Sequence, residues 1–324
     1  WTLDATTPTG KKIWTSQYLD VSGKLENGEI IYTGTIVVEN KVGQKYIIDP
    51  YQVSSLPVYV PDGINDKGRV RIEDNAIFLN SGRMELDDGV DDSTFAFAPN
   101  NYMYTLDAVR LDNGVFINTG AVTGRFSSII SLNSSDIYNS GTISVLGEDG
   151  KYAFAGKDNV ITTSLFILGG DSAQSTDTWT NTSTGVITAR GGTSVLSDFG
   201  GNIVYSDPQA SGSAHDQGTI NAVNDGLIDF SLLNSVSAKP DLISPNTLAA
   251  VSLGNSAGTV NTFVNNGTMT VSGGNAVAMY GQNNTTLVNN GTINLGDSSL
   301  SIAENGTGLV AFKAVGDNVT AYNQ

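Results

Sequence analysis

The feature that most constrains this chain is a phrase it repeats, FVNNGTMTV at 263–271 and LVNNGTINL at 287–295. With the glycines aligned, the phrase recurs as NSGRMEL at Gly82, NTGAVTG at Gly120, NSGTISV at Gly141 and NDGLIDF at Gly226. STGVITA at Gly185 is a degenerate copy, and ENGEIIY at Gly28 reads as one more candidate. Self-similarity of this kind points to a stack of like units, each too small to bury an apolar face alone.

Residues two and four places after each glycine are apolar: Met84/Leu86, Ile143/Val145, Ile187/Ala189, Ile228/Phe230, Met269/Val271 and Ile293/Leu295. Those one and three places after it are mostly polar. Period-two alternation is the signature of a strand with one face inward. Each phrase therefore predicts a short strand entered through a tight turn, where Asn and Gly accept left-handed backbone. The aligned glycines at 82, 120, 141, 185, 226, 267 and 291 are 21 to 44 residues apart, which reads as one or two units of 19–24 residues per gap. From 267 to 290 one unit holds three strands, GTMTV, NAVAMYG and TTLVNN. The expected fold is all-β, a right-handed three-stranded parallel β-helix with inserted loops, and nothing in the chain reads as a long helix. At roughly 22 residues per coil there would be about 15 coils, a rod about 70 Å long at the strand spacing. Asn at equivalent turns is expected to stack into hydrogen-bonded side-chain ladders.

Composition closes off several functions. Charged residues are 15% of the 324, yet recurrent alternating apolar runs exclude disorder. A net charge of −16 removes any general attraction to nucleic acid or anionic lipid. The absence of cysteine excludes disulfide scaffolds, and with His215 as the one histidine it excludes zinc sites too. No apolar run reaches transmembrane length, so this segment is not expected to insert in a membrane, and a start at Trp1 without a leader reads as a processed or excised segment. Residues 1–324 read as a single β-helical domain. Residues 1–40, with Trp1 and Trp14, are a candidate N-terminal cap. Residues 40–75, with three prolines, are a candidate insertion, and 205–217 and 234–247 read as loops.

Candidate site residues are few. Arg69 and Arg71 alternate with Val70 and Ile72, so both guanidinium groups would leave one face of a strand. With Lys67, Arg83, Arg110 and Arg125 they could line a groove for an anionic sugar chain, since the guanidinium fork binds two oxygens at once. The plainer alternative is surface arginines paired with neighbouring acids. Tyr102 and Tyr104 alternate in NNYMY and could stack on sugar rings or pack under a loop. Asp87, Asp88, Asp91 and Asp92 in ELDDGVDD form the densest acidic cluster, a weak candidate for calcium and otherwise a solvated loop. His215 lies in a loop-like stretch and makes a poor general base. No catalytic residue and no cofactor is expected.

VNNGT phrases at 264–268 and 288–292, NGTGLVAFKAVGDN at 305–318 and the cysteine-free Gly/Asn/Thr composition resemble the passenger domains of bacterial autotransporters, particularly the adhesin branch. The resemblance covers most of 76–324. It implies a rod displayed on the bacterial surface from an outer-membrane barrel, and the chain to Gln324 holds no block of membrane strands that would be that barrel. It also implies adhesion: the side of the rod would bind host glycosaminoglycan or a matrix protein such as fibronectin. A second expectation is self-association with the same passenger on neighbouring cells, giving aggregation and biofilm. A third, from another class, is a polysaccharide-cleaving β-helix enzyme.

Overall fold

The residues flanking each aligned glycine form a stack of parallel coils. A computed structural model of the protein describes residues 2–6, 12–15, 24–26, 29–48, 66–67, 70–86, 106–124, 127–146, 163–170, 172–190, 193–198, 217–231, 249–254, 259–273, 276–296 and 309–324. Among them are 30 strands in three sheets, and no helix. One coil runs Ala121–Gly124, Ser127–Asn133, Asp136–Asn139 and then begins again at Thr142–Leu146. Strands that open after the glycine form a nine-stranded sheet, called here the second. The next strands form a ten-stranded third sheet, and those ending in Asn form an eleven-stranded first sheet. Pairing is parallel throughout, except that Thr2–Thr6 and Lys24–Glu26 pair antiparallel with their neighbours at one end of the first and third sheets. The fold is the expected parallel β-helix. The three strands read from 267–290 are present as Thr268–Ser272, Val277–Gln282 and Thr285–Asn289.

The coil count differs from the expectation. Strands on either side of a long gap pair directly: Ile77–Asn80 with Val115–Asn118, and Asp136–Asn139 with Thr176–Asn181. A gap of about 40 residues is thus one coil carrying an insertion, not two coils. Sheets of 9 to 11 strands give a rod of about 45–50 Å at the strand spacing. Within 40–75, Lys45–Ile48, Asp66–Lys67 and Val70–Glu73 are strands of the regular sheets. Residues 49–65, 68–69 and 205–216 and all of 234–247 lie outside the described residues.

A column of side chains fills the interior. Met84, Leu86, Ile143, Val145, Ile187, Ala189, Ile228, Phe230, Met269 and Val271 are all buried, as alternation requires. On the first sheet the inward row runs through Phe78 and Phe116, stacked with ring centroids 6.1 Å apart, to Trp179 and Phe263 at 6.4 Å. Ala222 lies between those two, so the small residue makes room for the indole. In the last strand of the second sheet Ile293 is only partly buried and Leu295 is exposed, with no further strand stacked beneath them among the described residues.

The corner phrase builds the expected ladder. Asn40, Asn80, Asn118, Asn139, Asn181, Asn224, Asn265, Asn289 and Asn323 occupy one register position, and each Nδ2 donates to the next Oδ1 at 2.6–2.8 Å. Second N–H bonds go to corner carbonyls, such as Asn80 to Ala121 O at 3.1 Å. The glycines serve another purpose than the sequence suggests. None of the aligned ones described has positive φ; among non-glycine residues left-handed backbone lies instead at Asp74, Asn75, Asn113, Ser134, Asn284 and Asn318, on the corner between third and first sheets, and among described glycines at Gly34, Gly43, Gly273 and Gly316. Gly120, Gly141, Gly267 and Gly291 are required by close stacking, because a Cβ on any of them would lie 2.1 Å from the carbonyl oxygen of the preceding glycine. Gly28 lies outside the described residues, and the first ladder member is Asn40.

Candidate interaction surface

Three long faces leave the column, and alternation decides what each presents. On the third sheet the outward row runs from Ile31 through Arg71 and Arg110, in register on adjacent coils, then Ile130, Ile167, Ser197, Ser252 and Tyr280 to Lys313. From Ile130 to Tyr280 these outward residues are at most 3% exposed. Ile130 with Ile167, and Ala249 with Val277 and Tyr280, form apolar clusters separate from the interior column. Over that length the face is closed.

The second sheet's outward rows mix polar residues with Ala121, Val186 and Leu227, and the charges they carry are paired. Arg83 reaches Glu85 at 2.7 Å and Lys45 reaches the same carboxylate at 2.5 Å. Further along, Arg190 binds Asp229 through both its carboxylate and its carbonyl oxygen.

The first sheet differs from both. Its outer row nearest the Asn corner carries Leu79, Ile117 and Tyr138, then Thr180. It continues as Val223, Val264 and Val288 to Tyr322. The parallel row, from Thr178 onward, is Asn221, Thr262, Thr286 and Thr320. Tyr138 is 36% exposed and Tyr322 53%, and the residues between them are part-exposed, so this face meets solvent. From Thr178 to Tyr322 neither row holds a charged side chain, in a chain of net charge −16. Sequence reasoning passed over this face because each outward residue alone is an ordinary Val or Thr; the signal lay in reading the residue before each ladder Asn down all the coils at once.

The proposed basic groove is only partly assembled. Arg71 and Arg110 come together on the third sheet, but Arg83 is on the second, facing another side. Arg71 is ion-paired with Glu73, two residues along its own strand, and Arg83 with Glu85 in the same way. Asp112 lies in register with Glu73, so the two arginines have acids beside them. Lys67 is in a short strand of the second sheet, and nothing is described of its side chain. Arg69, Tyr102, Tyr104, Arg125 and His215 lie outside the described residues, as do Asp87, Asp88, Asp91 and Asp92. Among the described residues no group of acidic or histidine side chains could hold a metal ion.

One buried acid was missed. Asp177 faces inward two residues before Trp179, and its carboxylate accepts from Ser131 Oγ at 2.7 Å, Ser135 N at 2.8 Å and Gly169 N at 2.7 Å. Burial pushes its pKa up to about 7, against the pull of those hydrogen bonds, and Asp136 pushes it further. The alternation Asp177–Trp179–Asn181 in TDTWTN already places it inward. It ties a corner of two coils together and has no solvent access for catalysis.

Residues 61–324 match the family of the BigA fourth domain. A relative from Salmonella typhimurium, named as surface-exposed virulence protein BigA, is 30% identical over 237 residues, 68% of this chain. The chain spans 10% of that relative's length. No solved structure matches the chain. With most of its length matched and its coils accounted for, the chain belongs to the BigA fourth-domain family.

Proposed function

We propose that this chain is a non-catalytic adhesive segment of a bacterial surface protein, a rigid rod that binds a protein partner along its side. The observation that carries the reading is the solvent-facing, uncharged outer face of the first sheet, which runs without a break from Thr178 to Tyr322. The relative's name supports surface exposure and a part in virulence. Many modest contacts repeated along a rod add up, and many rods on one cell multiply them. A matrix protein such as fibronectin is a partner of suitable chemistry. A sulfated glycosaminoglycan is the less favoured ligand, because Arg71 and Arg83 already hold carboxylates that it would have to displace.

The test is adhesion of beads carrying the rod to immobilised matrix proteins and sulfated glycans at low and high salt. Binding that survives high salt and is lost with Val264→Asp supports the first-sheet face. Binding only to sulfated glycans, abolished by salt and by Arg71→Ala with Arg110→Ala, would move the site to the third sheet. Rods that bind nothing and cleave polysaccharide would overturn the reading altogether.

A further inference from the structure

We infer that the first sheet's outer face takes the side of a cross-β fibre, with the rod lying along the fibre axis. The inference rests on the reading of that face as the adhesive one and names its partner. Spacing, chemistry and extent each point to that occupant.

The spacing comes from the register. From the strand Thr176–Asn181 to the strand Val319–Asn323 five coils pair in parallel without a shift, so each outward row advances by one strand spacing per coil. That spacing is about 4.8 Å. A fibre of stacked, in-register strands repeats each of its side chains about every 4.7–4.8 Å along its axis. Over the four intervals of the strip the two sets of rows drift apart by at most about 0.4 Å. An α-helix laid along the strip repeats about every 5.4 Å and would be out by about 2.4 Å over the same length, half a coil. A folded globular partner presents a different side chain at each place and has no row to match.

The chemistry comes from alternation. Val223, Val264 and Val288 belong to one row and Thr262, Thr286 and Thr320 to the other, all part-exposed and uncharged. Dry contacts between paired cross-β sheets are made by rows of this kind, in which like side chains of high β-propensity and low charge interdigitate. The chain carries a net charge of −16 and neither row carries any of it, so the strip recognises its partner by fit and loss of water rather than by charge.

The extent argues for a partner that repeats. Five coils and two rows about 7 Å apart make a strip of roughly 24 by 15 Å, about 360 Å² on the rod and about 700 Å² for both partners. Stable specific interfaces begin at about 1,200 Å², so one rod on one site is held weakly. A fibre offers the same site again at every layer, and a cell bearing many rods is held by many of them together.

The test is co-sedimentation of the whole chain with preformed fibrils of a short uncharged synthetic peptide of Val, Asn and Gln, at low and high salt. The unassembled peptide, an α-helical coiled-coil filament with outward Val and Gln, and fibronectin-coated beads are the comparisons, and thermal melting checks that each variant folds. The native chain should pellet with the fibrils at either salt concentration and stay in solution with the unassembled peptide and the coiled-coil filament. Val264→Asp and Thr286→Lys, one in each row, should each weaken fibril binding at least about tenfold, because either leaves an unpaired charge in a dry contact. Thr270→Asp on the second sheet should bind as the native chain does. Failure to pellet with the fibrils overturns the inference, and so does equal binding to the coiled-coil filament or binding that both row variants retain. Capture by fibronectin that is lost with Val264→Asp, without fibril binding, overturns the inference and leaves the adhesive reading of the face in place.

Discussion

Replacing Asn181 with alanine should be among the most destabilising single changes in the rod. The amide accepts from Asn139 Nδ2 at 2.8 Å and donates to Asn224 Oδ1 at 2.7 Å, with weaker bonds to the Gly185 and Leu227 carbonyls. All three side chains are buried, so truncation strands one donor and one acceptor away from water. Each buried polar group left without a partner costs about 1–3 kcal/mol, and the cavity adds to it, giving a total of about 3–5 kcal/mol. Asn323, at the other extreme, takes one ladder bond, from Asn289, and is exposed. Its alanine variant should lose only about 0.5–1.5 kcal/mol, a single net hydrogen bond. Denaturant unfolding followed by circular dichroism compares the two; a repeat array can unfold in stages, so the transition slopes must be compared before the midpoints. Equal losses of under 1 kcal/mol for both would refute the claim that the ladder is a cooperative, water-free element, and would leave the repeated Asn without an energetic reason.

Other consequences follow from single contacts. Gly120→Ala places a methyl group 2.1 Å from Gly82 O, so adjacent coils must separate; a loss of more than about 2 kcal/mol is expected by unfolding, against no more than about 1 kcal/mol if the glycine were there only for backbone freedom. Asp177 holds its proton up to a pH of about 7 when folded but only to about 4 when unfolded. Its contribution to stability is therefore complete below about pH 4 and falls as pH rises to about 7, by at most about 1.4 kcal/mol per pH unit. Unfolding at pH 5 and pH 8 should show that slope flattened in Asp177→Asn relative to the native chain. Arg83→Ala should change stability by less than about 0.5 kcal/mol, since its pair with Glu85 is made by a side chain 59% exposed to solvent.

How much of this was legible depended on whether the signal was repeated. The corner Asn and the Met84/Leu86 type of alternation recur in coil after coil, so the strands, the inward faces and the ladder could all be read from residues alone. The number of coils could not. A 42-residue separation between Asn139 and Asn181 is the same in sequence whether it holds two coils or one coil with an insertion, and only the direct pairing of their strands separates the cases. The role of the glycines was misread for a related reason: a left-handed turn and a close approach both demand Gly, and nothing local distinguishes them. Arg71 and Arg83 looked like one basic group because they are near in sequence, while the coil sends them to different sheets. The first-sheet face was written in the sequence but spread over 244 positions from Leu79 to Tyr322, and it became visible only when the register lined up one residue from each coil.

The ladder also explains why that face is open. In six of its coils the Asn is followed by two residues and then the next strand, as at Ser81–Gly82 or Asn290–Gly291, and the longest such corner here is four residues, at 41–44 and 182–185. An insertion there would separate the Asn from the glycine whose amide donates to the Asn carbonyl of the coil before, as Gly120 N does to Asn80 O at 2.9 Å. The corner between the second and third sheets has no such stack to protect. The connections 87–105, 147–162 and 232–248 all leave from it, and 199–218 leaves from the next corner. Added sequence is thereby directed to the edges of the third sheet, whose outer face is the buried one. The buried asparagines hold the coils in register, and by keeping their own corner short they leave the adjoining edge of the first sheet free of added chain. Lengthening the connection at 119–120 by a flexible six-residue insert should therefore cost about as much as breaking the ladder there, about 3–5 kcal/mol. The same insert within 232–248 should cost under about 1 kcal/mol, because lengthening an existing loop adds little closure entropy. Comparable losses at the two sites would sever the link between the ladder and the open face.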